Sequence, residues 1–154
     1  MGRISSSPGN SANDSGVVLA IDYGRRRLGL ALSDALGVAA HPFATWTRSN
    51  LRRDLARLRD LCRERSVSRI VVGRPLRLDG TQSEMATEAA EFGARIGKSL
   101  NLPVEFVDER LSSWDAHQTV RSSARRRERS SLDDVAAAVI LRDYLNRATR
   151  AAGC

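Results

Sequence analysis

The chain has 154 residues, of which 42% are hydrophobic and 28% are charged, a composition typical of globular proteins that excludes an intrinsically disordered chain. This length suits one domain with its own core. Apolar runs all fall short of the roughly 20 residues of a membrane-spanning helix, and the first residues lack the hydrophobic segment of a secretion signal. We therefore expect a cytoplasmic protein that makes no membrane contact.

The charge balance is basic, with 25 Lys and Arg against 18 Asp and Glu and an isoelectric point near 10.8. A polyanion is the natural partner of such a chain, although a merely solvated basic surface is the alternative. Lys98 is the only lysine, and Arg pairs with phosphate in a bidentate manner, which favours nucleic acid. Cys62 and Cys154 show neither metal-ligand spacing nor a disulfide framework, consistent with a reducing compartment.

The first part of the chain predicts a tail followed by a β-meander. Residues 1–16 are rich in Ser, Gly and Asn and predict a disordered tail, so that the folded domain spans residues 17–150. Apolar runs from Val17 to Asp22, from Leu28 to Leu32 and from Val38 towards Trp46 predict three strands. Because short glycine-containing turns join them, these strands should form an antiparallel meander.

The rest of the chain alternates helical and strand patterns, which predicts crossover helices packed on a sheet whose later strands are parallel. The fold class is therefore α/β with one mixed sheet. The predicted elements are a helix with Leu51, Leu55, Leu58, Leu61 and Cys62 on one face, a strand Arg69–Gly73, a helix Ser83–Leu100, a strand Val104–Asp108, a helix from Ser112 or Ser113 to Arg121, and a helix Leu132–Ala148.

Acidic residues stand where the apolar strands end. Asp22 closes the first strand, Asp108 and Glu109 close the last, and Asp133 or Asp134 begins the final helix. For any one of these, helix capping or solvation is the simpler explanation. Together they suit Mg²⁺ or Mn²⁺, because hard cations prefer carboxylate oxygen and a pair of such ions can support hydrolysis of a phosphodiester.

Four motifs occur in order along the chain: IDYGRRRLGLALSD at 21–34, IVVGRPLRLDGTQSE at 70–84, VDERLSSWDA at 107–116 and LDDVAAAVILRDYL at 132–145. Together they resemble the YqgF/RuvX family, proteins described as nucleases and related to the RuvC Holliday junction resolvases. This resemblance covers Val17 to Leu145. It implies an RNase H-like fold and an acidic active site that uses Mg²⁺ or Mn²⁺.

The resemblance assigns the catalytic and metal-binding roles to Asp22, Glu109 and Asp133. Asp133 is preferred to Asp134 because it holds the place of the acid before the family's alanine pair. In contrast to RuvC-type enzymes, the strand ending at Gly73 brings no carboxylate, so Asp79 is a fallback ligand. The implied cellular role is ribosome biogenesis, through maturation of the 5′ end of precursor 16S rRNA, and the alternative is resolution of branched DNA by a dimer.

Arginines near these acids are candidates for contacts to substrate phosphates, which position a nucleic acid without reading its sequence. Arg74 and Arg77 depart from the family, whose loop often carries Leu and Asn at these places. Arg110 could instead form a structural ion pair with Asp108 or Asp115. The candidate nucleic-acid contacts are Arg25, Arg27, Arg74, Arg77, Arg110, Arg125, Arg126 and Arg127.

Two other function classes compete with the nuclease. The Asp22-x-Gly24 turn also resembles the phosphate-binding hairpin of actin-like ATPases, but one domain of this length would supply only half of an ATP cleft. A non-catalytic RNA-binding assembly factor would keep the acids as caps, and fold kinship alone cannot exclude it. The sequence leaves open a monomer or a weak homodimer, with precursor rRNA or branched DNA as the partner.

Overall fold

Residues 16–74, 83–108 and 132–153 are described by a computed structural model of the chain. Within these residues the strands and helices follow one another in the predicted order. Their bounds are β1 (Val17–Asp22), β2 (Arg27–Ser33), β3 (Ala40–Thr47), α1 (Leu51–Glu64), β4 (Val67–Arg74), α2 (Glu84–Leu100), β5 (Val104–Asp108) and α3 (Leu132–Gly153).

The described strands form one mixed sheet in the order β3-β2-β1-β4-β5. The pairs β1–β2 and β2–β3 are antiparallel, whereas β1–β4 and β4–β5 are parallel. The predicted meander and the predicted parallel half are both confirmed, and with them the α/β class. β1 is the strand at which the sheet changes from antiparallel to parallel pairing.

Each face of the sheet is covered by different helices because alternate residues of the strands point to opposite faces. On one face, Leu19 and Ile21 of β1 pack with the buried residues of α1 and α2. On the other face, Val18 and Ala20 pack with Ala137, Ile140 and other residues of α3. The alternation in β1 thus assigns Asp22, its last residue, to the α3 face.

Side chains cap the helices on the first face. Asn50 and Ser83 accept hydrogen bonds from the backbone N–H groups three residues ahead, which satisfies donors at the first turns of α1 and α2. Asn101 ends α2 in the left-handed conformation. These caps explain why α2 matches the predicted helix closely at both ends.

The turn between β2 and β3 corrects one prediction. The third strand begins at Ala40 rather than at Val38, whose side chain is 71% exposed. The Asp34 carboxylate accepts a hydrogen bond from Val38 N at 2.8 Å, and Gly37 takes a positive φ of 70°. Backbone N–H groups led by that of Val38 lower the pKa of Asp34. Val38 therefore belongs to a turn that the Asp34 side chain caps. The apolar alternation of the sequence could not by itself distinguish this turn from the start of the strand.

Several predicted features fall outside the described residues. They are the tail, apart from Gly16, and the helix from Ser112 or Ser113 to Arg121.

The final helix extends to Gly153, beyond its predicted end at Ala148, and β4 extends by two residues at its start and one at its end. Every helix within the described ranges is too short or too polar to span a lipid bilayer.

Candidate functional site

Asp22 lies at the carboxyl end of the central strand β1, between two glycines. It pairs with Gly29 of β2 on one side and with Gly73 of β4 on the other. Both glycines are buried, and neither contributes a side chain beside the carboxylate. The two positions that pair directly with Asp22 in the sheet therefore carry no side chain.

Asp108, the last residue of β5, lies at the same edge of the sheet as Asp22, but its side chain is on the opposite face. It pairs with Arg74, one row beyond the Gly73 that flanks Asp22. Val107 packs in the α3 cluster, whereas the ring of Phe106 lies against Gly93 of α2. Alternation therefore directs Asp108 to the α2 face and separates it from Asp22. Of the two acids that end this strand pattern, the structure disfavours Asp108 as a partner of Asp22.

Helix α3 carries both candidate acids of its motif in its first turn. The backbone of Asp133 lies in this helix, and the next residue, Asp134, is half-buried. Further along, the Tyr144 hydroxyl donates to Glu105 and accepts from Arg69, each at 2.8 Å. These two bonds attach the helix to the first halves of β4 and β5.

The length of α3 is sufficient to reach the edge of the sheet that carries Asp22. From Tyr144 back to Asp134 the helix rises about 15 Å at 1.5 Å per residue. Along β4, the distance from Arg69 to Gly73, the partner of Asp22, is roughly 13 Å. A helix that runs antiparallel to β4 from Tyr144 would thus bring its first turn level with Asp22.

The loop that follows Asp22 is held from below by Arg48. Its guanidinium donates to the Gly24 carbonyl at 3.2 Å and to Asp54 at 3.0 Å, and it lies about 5 Å from the ring centres of Tyr23 and Phe92. Its backbone N–H donates to the Arg26 carbonyl at 2.8 Å. The course of the backbone directly after Asp22 is fixed by these contacts.

Arg25, a predicted phosphate contact, is paired with a carboxylate of α2. Its Nη2 lies 2.7 Å from Glu88, and its Nε also donates to Glu88. The hydrogen bond from Arg25 lowers the pKa of Glu88, which also accepts from the Tyr23 hydroxyl at 3.3 Å. Both side chains remain accessible, so Arg25 can exchange this carboxylate for a phosphate.

Of the other arginines predicted to contact substrate phosphates, Arg27 and Arg74 lie within the described residues. Arg27 is exposed at the start of β2, and Arg74 is half-buried, with its guanidinium 5.9 Å from the centre of the Phe106 ring. Arg74 therefore lies on the α2 face, away from Asp22. Outside the described residues lie Asp79 and Glu109 and the arginines Arg77, Arg110, Arg125, Arg126 and Arg127.

Sequence reasoning missed Arg48 and Asp54, although one signal was present. Asp54 stands three residues after Leu51 and four before Leu58, on the apolar side of α1, and it is only 2% exposed. A charged residue in an apolar stripe requires a buried partner. Arg48 supplies that partner, six residues earlier in the chain.

Within residues 16–74, 83–108 and 132–153, no group of three or more acidic, histidine or cysteine side chains is close enough to hold a metal ion. Asp22 is the member of the predicted set whose side chain the structure describes. The others are Glu109, which is outside the described residues, and Asp133, which is located by its backbone. A carboxylate whose paired neighbours are glycines fits a hydrated hard cation, whose ligands are oxygens and water.

The chain is similar in sequence to a large set of bacterial proteins. Residues 16–147 match the family model described as "RuvX: Holliday junction resolvase". A protein of Thermosynechococcus vestitus named "Putative pre-16S rRNA nuclease" is 40% identical, covering 88% of this chain and 95% of the relative. A protein of Koribacter versatilis with the same name is 41% identical, covering 86% and 88%.

Solved structures share the fold at low identity. Thermus thermophilus RuvC in complex with a Holliday junction substrate superposes with a TM-score of 0.57 at 18% identity, covering 87% of this chain and 96% of that one. The fowlpox virus Holliday junction resolvase gives 0.53 at 14% identity, covering 85% and 99%. These structures confirm the RNase H-like fold that the sequence predicted.

Proposed function

The chain belongs to the RuvX family, and from this membership we propose that it is a divalent-metal-dependent nuclease that processes the 5′ end of precursor 16S rRNA. The relatives at 35–41% identity carry the name of a pre-16S rRNA nuclease, which favours precursor rRNA as the substrate. The basic charge of the chain suits a polyanion.

The observation that carries the proposal is the position of Asp22 between Gly29 and Gly73. A carboxylate at the end of a central strand is ordinarily crowded by the side chains of its neighbours. Here both neighbours lack a side chain, so a hydrated cation and the phosphate that it binds can approach the carboxylate. A purely structural acid would gain nothing from this arrangement.

Asp22, Glu109 and Asp133 would hold Mg²⁺ or Mn²⁺. Glu109 directly follows Asp108, and continued alternation would turn its side chain to the face of Asp22. Asp133 lies in the first turn of α3, which has the length to stand level with Asp22. Bound there, the metal would polarise the scissile phosphate and lower the pKa of a water molecule for attack.

Arginines of the chain would position the Asp22 carboxylate and the substrate. The contacts of Arg48 hold the backbone that follows Asp22, so the carboxylate needs little reordering when substrate binds. Arg25 and Arg27 lie in the hairpin directly after Asp22, where they would bind phosphates flanking the scissile bond. Arg77, Arg110 and Arg125–Arg127 are proposed as further contacts of the same kind.

A branched DNA substrate is the second candidate because the matching family model carries the resolvase description. Symmetric cleavage of a four-way junction needs two active sites, so this activity requires a dimer. A monomer that cleaves a precursor RNA end would exclude it. The oligomeric state during turnover therefore separates the two substrates.

The test compares the wild-type protein with Asp22→Asn and Glu109→Gln on two labelled substrates, a structured precursor 16S rRNA 5′ end and a four-way DNA junction. Asp60→Asn, an exposed acid on α1, is the matched control. We expect RNA cleavage that requires Mn²⁺, disappears with EDTA and with either site variant, and persists in the control.

Two results would contradict the nuclease. Binding of RNA without metal-dependent cleavage would indicate a non-catalytic assembly factor. Unchanged Mn²⁺ affinity in Asp22→Asn, measured by calorimetry on the folded variant, would remove Asp22 from the metal site. Saturable ATP binding by the wild-type protein would instead support the actin-like alternative.

A further inference from the structure

The hydroxyl of Thr45 in β3 is buried and has no hydrogen-bond partner among the described residues. Buried polar groups in proteins are almost always hydrogen-bonded, because leaving one unpaired costs free energy. A valine would fill nearly the same volume and suits a strand equally well. Neither packing nor strand formation therefore explains why this position carries a hydroxyl.

The strand register places Thr45 in the same row of the sheet as Asp22. Thr45 pairs with Gly29 of β2, and Gly29 pairs in turn with Asp22 of β1. Residues that pair in neighbouring strands lie on the same face, so Thr45 and Asp22 share the α3 face. Because the residue between them is a glycine, no side chain of this row stands between the hydroxyl and the carboxylate.

An irregularity in the pairing of β2 with β3 turns Thr45 to this face. The register shifts between Leu30 and Ala31, so that β3 carries one extra residue at this point. Before the shift, Ala40 packs against the α3 cluster, whereas Trp46, which simple alternation would place on the same face, packs in the cluster of α1 and α2. Bulges of this kind re-aim side chains and often occur next to active sites.

The distance between Thr45 and Asp22 is too long for a direct contact. With neighbouring strands about 4.8 Å apart, their Cα atoms are separated by roughly 10 Å, whereas a hydrogen bond joins atoms about 3 Å apart. The two side chains can interact only through a third polar group. A hydrated divalent cation suits that role, because carboxylate oxygen binds it and it keeps water ligands that can donate to a hydroxyl oxygen.

We propose that Thr45 is a positioning residue of the Asp22 site, and that its hydroxyl accepts a hydrogen bond from a water ligand of the divalent cation. This inference rests on the proposed function for the presence of the cation. Groups that contact the ligands of a bound metal orient those ligands and raise the affinity of the site. Thr45 would act on the β3 side of Asp22, whereas Glu109 follows β5 on the other side.

The test is a calorimetric titration of Mn²⁺ into the wild-type protein and its variants in the absence of nucleic acid. Thr45→Val removes the hydroxyl at nearly constant volume, and we expect roughly tenfold weaker Mn²⁺ binding, as for other losses of a partner to a metal ligand. Thr45→Ser keeps a hydroxyl and should restore most of the affinity. Thr47→Val is the matched control, since Thr47 is the next residue of β3 on the same face and is exposed. It should bind Mn²⁺ as the wild type does.

Thermal unfolding of the metal-free variants separates this role from packing. Thr45→Val should melt at or above the wild-type temperature, because it replaces an unpaired buried hydroxyl by a methyl group. A lower melting temperature with unchanged Mn²⁺ affinity would mean that the hydroxyl serves the fold alone, and the proposal is overturned. Thr45→Ala, which introduces no new group, repeats both measurements in case the valine is poorly accommodated.

Asp22→Asn distinguishes failure of this proposal from failure of the nuclease. If Asp22→Asn loses Mn²⁺ binding while Thr45→Val and Thr45→Ala keep it, the metal site stands and the role of Thr45 is refuted. If the wild-type protein binds no Mn²⁺, or Asp22→Asn binds it equally well, the proposed function fails at its metal site and the role of Thr45 fails with it.

Discussion

Arg48 and Asp54 form an ion pair beneath the loop that carries the chain away from Asp22. The Arg48 Nε lies 3.0 Å from Asp54 Oδ2, and their side chains are 15% and 3% exposed. The other carboxylate oxygen accepts from Ser49 N at 3.1 Å. Because Arg48 also binds the carbonyl of Gly24, this pair links the start of α1 to the backbone of the candidate active site.

Replacing Asp54 by Ala should lower the free energy of unfolding by roughly 3 kcal/mol, because it leaves the mostly buried Arg48 without its counter-charge. Urea unfolding measures this loss. Asp60→Ala, on the exposed side of the same helix, should change stability by less than about 0.5 kcal/mol. A loss below 1 kcal/mol in Asp54→Ala would mean that water solvates Arg48 more fully than its burial indicates.

Gly24→Ala tests how tightly the loop after Asp22 is packed. A Cβ at Gly24 would come within 2.6 Å of the Arg27 carbonyl oxygen, so the backbone must shift. We expect a loss of about 1–3 kcal/mol in stability and weaker Mn²⁺ binding, measured by calorimetry. Gly97→Ala is the control, since its Cβ would meet Val104 at 3.3 Å, far from Asp22. Equal Mn²⁺ affinity in both variants would separate the loop from the metal site.

Glu88→Ala should strengthen RNA binding, because it releases Arg25 from its present partner. We expect the salt slope of binding to steepen by roughly 0.7, the change for one added phosphate contact on single-stranded RNA. Glu91→Ala removes the same charge from the next turn of α2 and should steepen the slope less. Indistinguishable slopes for the two variants would show that Arg25 makes no phosphate contact.

Tyr144→Phe removes the hydroxyl that attaches α3 to Arg69 and Glu105. Loss of these bonds should cost about 1 kcal/mol at pH 8. Burial raises the pKa of Tyr144, and Glu105 adds to this effect while Arg69 opposes it. A raised folded-state pKa contributes stability below the unfolded value near 10, and this contribution is lost as the pH rises further. The difference between wild type and variant, from urea unfolding, should therefore shrink between pH 9 and pH 11.

Cys62 should react slowly with thiol reagents. Burial raises the pKa of its thiol to about 11, and the thiolate is the reactive form. In a Cys154→Ser background, alkylation at pH 8 should be many times slower than that of a free cysteine and should accelerate when urea unfolds the chain. Rapid alkylation in native buffer would indicate that α1 opens readily from the sheet.

The sequence predicted the order of the elements because β1, β2 and β4 contain short apolar runs and the helices between the strands place apolar residues at helical spacing. It located the end of β1 at Asp22 correctly, since a carboxylate interrupts the run. It misplaced the start of β3 because the exposed Val38 continues the apolar pattern into a turn. Only the hydrogen bond from Val38 N to the Asp34 side chain shows that Val38 belongs to the turn and not to β3.

The candidate site was less accessible to sequence reasoning because its neighbours come from distant parts of the chain. The glycines beside Asp22 have meaning only once the register of β1 with β2 and β4 is known. Arg25 could be recognised as an exposed cation, but its partner Glu88 comes from a helix late in the chain. Asp108 and Glu109 could not be separated until the faces of β5 were assigned.

The two glycines beside Asp22 reach it at different stages of folding. Gly29 belongs to the same hairpin and can meet Asp22 as soon as the first turn closes, whereas Gly73 arrives only after α1 has crossed the sheet and β4 has paired in parallel. Long-range parallel pairing is intrinsically slow because a large loop must close first. The surroundings of Asp22 are thus incomplete in a chain still emerging from the ribosome, until β4 has been made and has paired with β1.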